Sequence, residues 1–181
     1  MPIKSDTRFL FIHVMKTGGT SFSDLLRANF ADDERYPDAL LSPESSLARR
    51  VESYTCVPRV VQDANDNADR LRIVRAHVPY AVRDQLRLDY QAMTVLRDPV
   101  ERTLSYLKHC RKYHEEHNHM SLEEIYEQEW FYESYIHNYQ TKIFSMTYEE
   151  CLSEERYGDF DPPLPPRSEF VEGQPLPAAA L

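Results

Sequence analysis

The apolar residues of the 181-residue chain alternate between short continuous runs and helical patterns. The run "RFLFIHV" (8–14) is rich in β-forming residues and indicates a buried strand. In "TSFSDLLRANF" (20–30) the apolar residues recur at helical spacing, which predicts a helix soon after that strand. Residues 70–78 and 91–97 have the character of the first run, and we predict that each is a further strand.

Helices are predicted between and after these strands. Most of them begin with a serine or aspartate that can cap the first turn, or with a proline at the first helical position. The helix predicted over 131–144 has no such start signal and rests on its helical pattern alone. A polar loop, "HEEHNH", separates the helix at 98–113 from the one that starts at 121. The predicted helices cover residues 42–54, 79–88, 98–113, a segment starting at 121, and 131–144.

The alternation of strands and helices predicts an α/β fold in residues 1–150. We expect a mostly parallel sheet flanked by helices on both faces. The composition then changes, because residues 149–181 carry eight acids against two bases and residues 161–181 hold six of the twelve prolines. Residues 151–181 are therefore predicted to form an acidic, proline-rich and disordered tail.

Composition and charge exclude several classes of function. The net charge of −9 argues against general nucleic-acid binding, although a local basic pocket can still hold one anion. No apolar run approaches the roughly 20 residues of a membrane helix, and the polar N-terminus lacks the apolar core of a secretory signal. We predict a cytoplasmic protein without a membrane span. Three cysteines, far apart and without a CxxC pair, are predicted to be reduced and buried.

The segment "HVMKTGGTS" carries the first candidate chemistry. Gly18 and Gly19 are half of the four glycines of the chain, and they follow the first predicted strand. Glycines let backbone N–H groups approach an anion, and the next helix adds the partial charge of its N-terminus. Lys16 supplies a full positive charge. The hydroxyl residues Thr17, Thr20 and Ser21 supply further donors, so the segment predicts a phosphate-binding loop; a plain strand-to-helix turn is the alternative.

Two further segments place polar side chains near the ends of the other predicted strands. Arg97 ends the third predicted strand and Ser105 lies two turns into the next helix, which suits a second phosphate. His77 ends the second strand and can take a proton from a hydroxyl group. A capped helix with solvated charges and a structural histidine are the alternatives. His13 adjoins the loop, and we favour an orienting role for it over a second acid–base role.

Four histidines cluster around the polar loop 114–119. His109, His114, His117 and His119 could in principle bind a metal ion, but their spacing matches no known zinc pattern and their acidic neighbours suit a solvated loop. We therefore predict no metal site.

Four of these segments resemble the carbohydrate sulfotransferases of the heparan sulfate 2-O-sulfotransferase-like, bacterial type. "FIHVMKTGGTSF" is similar to their "FIHIPKTGGTS" signature, with Met15 in place of proline, and "VLRDPVERTLSYLKH" resembles "LRDPxxRxxSxYxH". "RAHVPY" resembles the strand end that holds their catalytic histidine, and "HNYQTK" (137–142) resembles "NxQTR". The segments follow one another in the family's order. A stretch like "FVGLTERFD" is not found, so we expect a member with a shortened C-terminus.

The resemblance implies a P-loop-NTPase-like fold and a residue-by-residue assignment of roles. The donor would be 3′-phosphoadenosine 5′-phosphosulfate (PAPS), whose phosphosulfate would bind the loop of Lys16, Thr17, Gly18, Gly19, Thr20 and Ser21. Arg97 and Ser105 would hold the 3′-phosphate, with Lys16 and His77 as the catalytic residues. Asn138, Gln140 and Thr141 would lie near the acceptor side.

The acceptor implied by the resemblance is a hydroxyl group of a saccharide. Two alternatives remain. One is a non-catalytic module that binds a nucleotide or glycan, and the other is a P-loop kinase, which the order of lysine before the glycines disfavours. The sequence predicts no particular oligomeric state.

Overall fold

The computed structural model describes residues 7–153, apart from the side chains of residues 47 and 48. Within this part the chain forms four short strands and eight α-helices. The strands are Phe9–Ile12 (β1), Arg35–Tyr36 (β2), Ile73–Ala76 (β3) and Gln91–Thr94 (β4). The helices are Gly19–Asn29 (α1), Leu47–Thr55 (α2), Val57–Asp66 (α3), Pro99–Tyr113 (α4), Leu122–Tyr126 (α5), Glu129–Tyr135 (α6), Tyr139–Ser145 (α7) and Tyr148–Ser153 (α8).

The four strands form one all-parallel sheet in the order β2-β3-β1-β4. In the middle of the sheet, Ile12 lies opposite Ala76 of β3 and Thr94 of β4. The three strands therefore end at the same level, and the chain segments that follow them meet at one edge. The predicted α/β fold with a parallel sheet and flanking helices is confirmed.

The core lies around the two inner strands. Every residue of β1 and β3 is buried, as expected for parallel strands covered on both faces. Val57 and Val60 of α3 are fully buried in the same cluster as Leu10 of β1 and Val74 of β3. Strand β4 is different, because its residues are partly or fully exposed at the edge of the sheet. The three cysteines are buried and unbridged.

Several predicted elements are confirmed with shifted ends. Helix α4 begins where the sequence indicates, since the Asp98 carboxylate accepts hydrogen bonds from the N–H groups of Val100 and Glu101 at 3.0 Å. The capping box of Ser121 and Glu124 also forms and starts α5. The predicted strands 8–14, 70–78 and 91–97 are each shortened to four residues, and residues 79–88 contain only a 3₁₀ helix, Tyr80–Gln85.

Other predictions are wrong. The helix predicted over 42–54 is present as α2, but its predicted start is wrong: it begins at Leu47, because Ser42 and Ser45 close a turn and the Ser46 hydroxyl caps the helix instead. The helix predicted over 131–144 is two helices, α6 and α7, separated at Asn138, whose φ of 51° is left-handed. Helix α3 and strand β2 were not predicted at all.

The polar loop 114–119 is also not fully solvated. Glu115–His117 winds a 3₁₀ turn, which carries His117 inward against Phe131 of α6 with 5.5 Å between ring centroids. His114 and His117 are both buried, although His119 is exposed. The prediction of a solvated loop is therefore wrong for these two histidines.

The predicted boundary at residue 150 falls inside α8, where Cys151 is buried. Residues 154–181 lie outside the described residues, so the disorder of the tail stays a prediction. None of the helices within residues 7–153 is long and apolar enough to cross a bilayer. The cytoplasmic location also stays a prediction.

Candidate active site

The segments predicted to carry chemistry meet at the edge where β1, β3 and β4 end. β1 leads into His13 and the loop Val14–Gly18, β3 leads into His77, and β4 leads toward Arg97. The His13 amide donates to the Ala76 carbonyl at 2.9 Å, so β1 and β3 stay paired up to this edge. This is the side of an open parallel sheet at which ligands bind.

The loop has the backbone of an anion-binding site. Lys16 has a φ of 66° and Gly18 a φ of 90°, so two left-handed residues flank Thr17. Such a conformation costs roughly 1–2 kcal/mol for a residue with a side chain, and it turns successive N–H groups to one side. Gly18 caps α1 without a side-chain hydrogen bond. The amides of the first turn, which have no partner within the helix, face a potential ligand.

Thr17 and Gly19 support the loop from inside. The Thr17 side chain is buried and its hydroxyl donates to the Val14 carbonyl at 2.9 Å, so this hydroxyl serves the loop itself. A β-carbon added at Gly19 would overlap the imidazole ring of His13. Gly19 is therefore required for close packing against His13. Thr20 and Ser21 follow on α1, and both are exposed.

Lys16 of the loop lies close to α4. Burial lowers the pKa of Lys16; Arg97 and Arg102 lower it further, while Cys110 and Tyr113 act in the opposite direction. The charge of Lys16 in turn contributes to the lowered pKa of His109, about 4, whose largest cause is burial. Lys16 thus faces the helix that carries the second predicted phosphate-binding pair.

Arg97 is fixed by its backbone while its side chain stays exposed. The Gln140 side-chain amide accepts from the Arg97 N–H at 3.1 Å and donates to the Arg97 carbonyl at 2.8 Å. The guanidinium pairs with Glu101 at 3.2 Å, and Nη1 lies 3.5 Å from the Lys16 carbonyl oxygen. The resemblance implied that Gln140 lies near the acceptor side and gave it no further role; in the structure it holds the backbone of Arg97.

Ser105 shares a face of α4 with these groups. Residues four apart along a helix lie above one another, so Glu101, Ser105 and His109 form one row that continues from Arg97. Ser105 is partly buried in this row. No hydrogen bond between described residues joins its side chain to Arg97. The structure therefore brings Arg97 to the loop, and Ser105 lies on the face of α4 that continues from Arg97.

His77 is held in one tautomer. Its Nδ1 lies 2.7 Å from the carbonyl oxygen of His13, and a carbonyl can only accept, so Nδ1 carries the proton. The Nε2 atom is left with its lone pair. Burial lowers the pKa of His77, which keeps the ring neutral at neutral pH. This is the state that a general base needs.

His13 stacks between His77 and the loop. Its ring lies 4.4 Å from that of His77 between centroids, and it abuts Gly19. Burial, with contributions from His77 and Arg75, lowers the pKa of His13 to about 3. A ring that stays neutral over the physiological range fits the orienting role expected from the sequence.

Arg102 is a site residue that the sequence did not single out. It is only 1% exposed, and its Nε donates to the Met15 carbonyl at 3.1 Å. Its Nη1 donates to the Tyr135 carbonyl, and the guanidinium lies over the rings of Tyr106 and Tyr139. The arginine therefore ties the loop to α4, α6 and α7.

A sequence signal for Arg102 does exist. Tyr106 and Cys110 follow it by four and eight residues, so the three share one helix face, and cysteine is among the residue types most often buried. An arginine on such a face is expected to have internal partners.

A family model described as the sulfotransferase domain matches residues 6–156. The chain belongs to the sulfotransferase domain family. No curated protein and no solved structure gives a significant match. The sulfotransferase assignment covers the sheet, the loop and α4, and it agrees with a P-loop-like fold; it does not extend to the carbohydrate branch that the sequence resembles.

We expect that Arg102→Ala lowers the free energy of unfolding of this sulfotransferase by about 2–5 kcal/mol, because it removes the donor to the Met15 and Tyr135 carbonyls and leaves a cavity between two tyrosine rings. Urea unfolding measures the change. The matched control is Arg111→Ala on the same helix, where the side chain is exposed and the expected change is within about 0.5 kcal/mol. Equal stability of the two variants would contradict the anchoring role.

The free energy of unfolding should fall as the pH drops below about 6.5. The pKa of His13 is lowered in the folded state, so the unfolded chain binds more protons between pH 6.5 and about 3. His13→Gln removes this difference, and its stability should decline less steeply between pH 6.5 and 5 in urea titrations. His119→Gln, at an exposed position, is the control. A His13→Gln slope as steep as that of the wild type would show that His13 is not the titrating group.

Proposed function

We propose that this sulfotransferase moves a sulfuryl group from PAPS to a hydroxyl group, and that the acceptor is a carbohydrate. The observation that carries the proposal is the meeting of the Lys16 loop, Arg97 and a neutral His77 at one edge of the sheet. A phosphate loop alone suits many enzymes. A neutral histidine that can accept a proton, and that His13 connects to the loop, suits transfer of a sulfuryl group to a hydroxyl group.

The donor fits the loop by charge and by shape. PAPS carries a phosphosulfate at one end and a 3′-phosphate at the other, and members of this family generally use it. We assign the phosphosulfate to the amides of the first turn of α1, the Lys16 ammonium and the exposed hydroxyls of Thr20 and Ser21. We assign the 3′-phosphate to Arg97 and Ser105. Arg97 would exchange its exposed partner Glu101 for the phosphate, and an exposed ion pair contributes little.

Each protein group then has a defined task. PAPS supplies the sulfuryl group when bound: an acceptor oxygen–sulfur bond forms while the bond from sulfur to the phosphate oxygen breaks. His77 Nε2 takes the hydroxyl proton, with the ring held through Nδ1 by the His13 carbonyl. Lys16 and the loop amides stabilise the negative charge that develops on the departing phosphate.

A polar cleft lined by Tyr54, a neighbour of His77, suits a hydroxyl-rich acceptor. The Tyr54 ring lies 6.3 Å from the His77 ring, and Tyr54 also lines a cleft of about 370 Å³. The other lining residues include Arg27, Asp38 and Arg50, which are charged. Saccharides bind through many hydrogen bonds to such groups, and this lining supports a carbohydrate acceptor.

The test is transfer of radiolabelled sulfate from PAPS to a panel of saccharides and simpler alcohols. We expect Lys16→Ala to lower the turnover by at least about 100-fold, because it removes charge stabilisation of the leaving group. His77→Ala should lower turnover by about 100-fold or more with nucleotide affinity close to normal. Lys108→Ala, an exposed lysine of α4, is the control and should retain wild-type turnover.

Near wild-type turnover in either variant would remove that residue from the mechanism. Donor binding without transfer to any acceptor would instead favour the non-catalytic module. Magnesium-dependent ATP turnover would favour the kinase.

A further inference from the structure

His114, Glu116 and His117 form a compact group at the turn after α4. Each offers one potential ligand atom, and these atoms all lie within 4.8 Å of one another. The two histidines are 3% and 5% exposed, whereas Glu116 reaches solvent. The group lies outside the candidate active site and has no part in the proposed sulfuryl transfer.

The buried ring nitrogens of this group lack partners. Within the described residues, neither ring nitrogen of His114 has a hydrogen bond, and neither does Nδ1 of His117. Buried polar atoms are almost always paired in folded proteins, so these nitrogens require an explanation. A cation bound through Nδ1 of each ring would supply the partner that these two atoms lack, while Nε2 of His114 would carry the ring proton.

The tautomer of His117 is fixed in the form that binds a metal. Its Nε2 lies 3.2 Å from Oε1 of Gln128, and Nε2 of the same amide lies 3.3 Å from the Met120 sulfur. The amide oxygen accepts, so His117 Nε2 carries the proton and Nδ1 presents its lone pair to the group. Metal-binding histidines commonly make such a hydrogen bond through the other nitrogen.

The distance between His114 and Glu116 also supports a bound cation. Nδ1 of His114 lies 3.4 Å from Oε1 of Glu116, which is long for a charge-assisted hydrogen bond. Two ligand atoms on one tetrahedral ion are about 3.3–3.5 Å apart, given metal–ligand distances of about 2.0–2.1 Å. The larger separations in the group, up to 4.8 Å, would shorten as the side chains close on the ion.

We propose that His114, Glu116 and His117 bind a divalent transition-metal ion. Two imidazoles and one carboxylate suit Zn²⁺ best, with a fourth position left for water. The sequence predicted no metal here because the spacing follows no known zinc pattern. The fold nevertheless brings the ligands together, because the 3₁₀ turn carries both histidines inward and Gln128 orients His117.

The consequence of binding would be structural. The ion would stabilise the turn that follows α4, and this helix carries Ser105 and His109 in the row near Lys16. Its removal should loosen the end of that helix, and the metal is not required to take part in the transfer chemistry.

The experiment uses the full-length chain, with any polyhistidine tag removed, stripped with a chelator and titrated with Co²⁺. We expect one Co²⁺ per chain, visible absorption typical of a four-coordinate ion, displacement by Zn²⁺, and a higher melting temperature with metal. His119→Ala is the control and should bind like the wild type.

Two variants test the ligands. His117→Ala should abolish the cobalt absorption. Glu116→Gln changes an exposed side chain, so it should stay folded, and its Co²⁺ affinity should fall by about 10- to 100-fold. The proposal is overturned if the wild type shows no saturable cobalt absorption, or if folded Glu116→Gln binds Co²⁺ as the wild type does. Neither readout depends on sulfuryl transfer.

Discussion

A buried guanidinium holds the loop Val14–Gly18 in place. Arg102 donates to the carbonyls of Met15 and Tyr135 while its plane lies against the rings of Tyr106 and Tyr139. A full charge at 1% exposure is tolerated only because these oxygens and ring faces replace the water that the charge has lost. Lys16, the left-handed residue that follows Met15, is thereby held next to α4.

The parallel sheet supplies the rest of the geometry. Because β1, β3 and β4 end in register, the histidine after β3 meets the carbonyl after β1, and the arginine after β4 meets the loop. Individual contacts then fix the positions of single residues. Gln140 fixes the Arg97 backbone, and the absence of a β-carbon at Gly19 leaves room for His13. The site therefore depends on the ends of elements far apart in sequence.

Much of this could be predicted from the sequence, because it rests on local patterns. The apolar runs located three strands, and Asp98 located the start of α4. What escaped prediction depends on tertiary contacts. Helix α3 has no side-chain cap, the break at Asn138 requires a left-handed residue that no glycine announces, and the burial of Arg102 follows from rings on two helices. The inward turn of His117 likewise depends on packing against α6.

The central claim is that the Lys16 loop and Arg97 together form a site for a nucleotide with phosphates at both the 5′ and 3′ positions. The most direct measurement is calorimetric titration with adenosine 3′,5′-bisphosphate and, in parallel, with adenosine 5′-monophosphate. We expect the bisphosphate to bind at least about tenfold more tightly, because it adds a charge-assisted contact, and Arg97→Ala to remove the difference. Equal affinity for the two nucleotides, or no binding of either, would contradict the central claim.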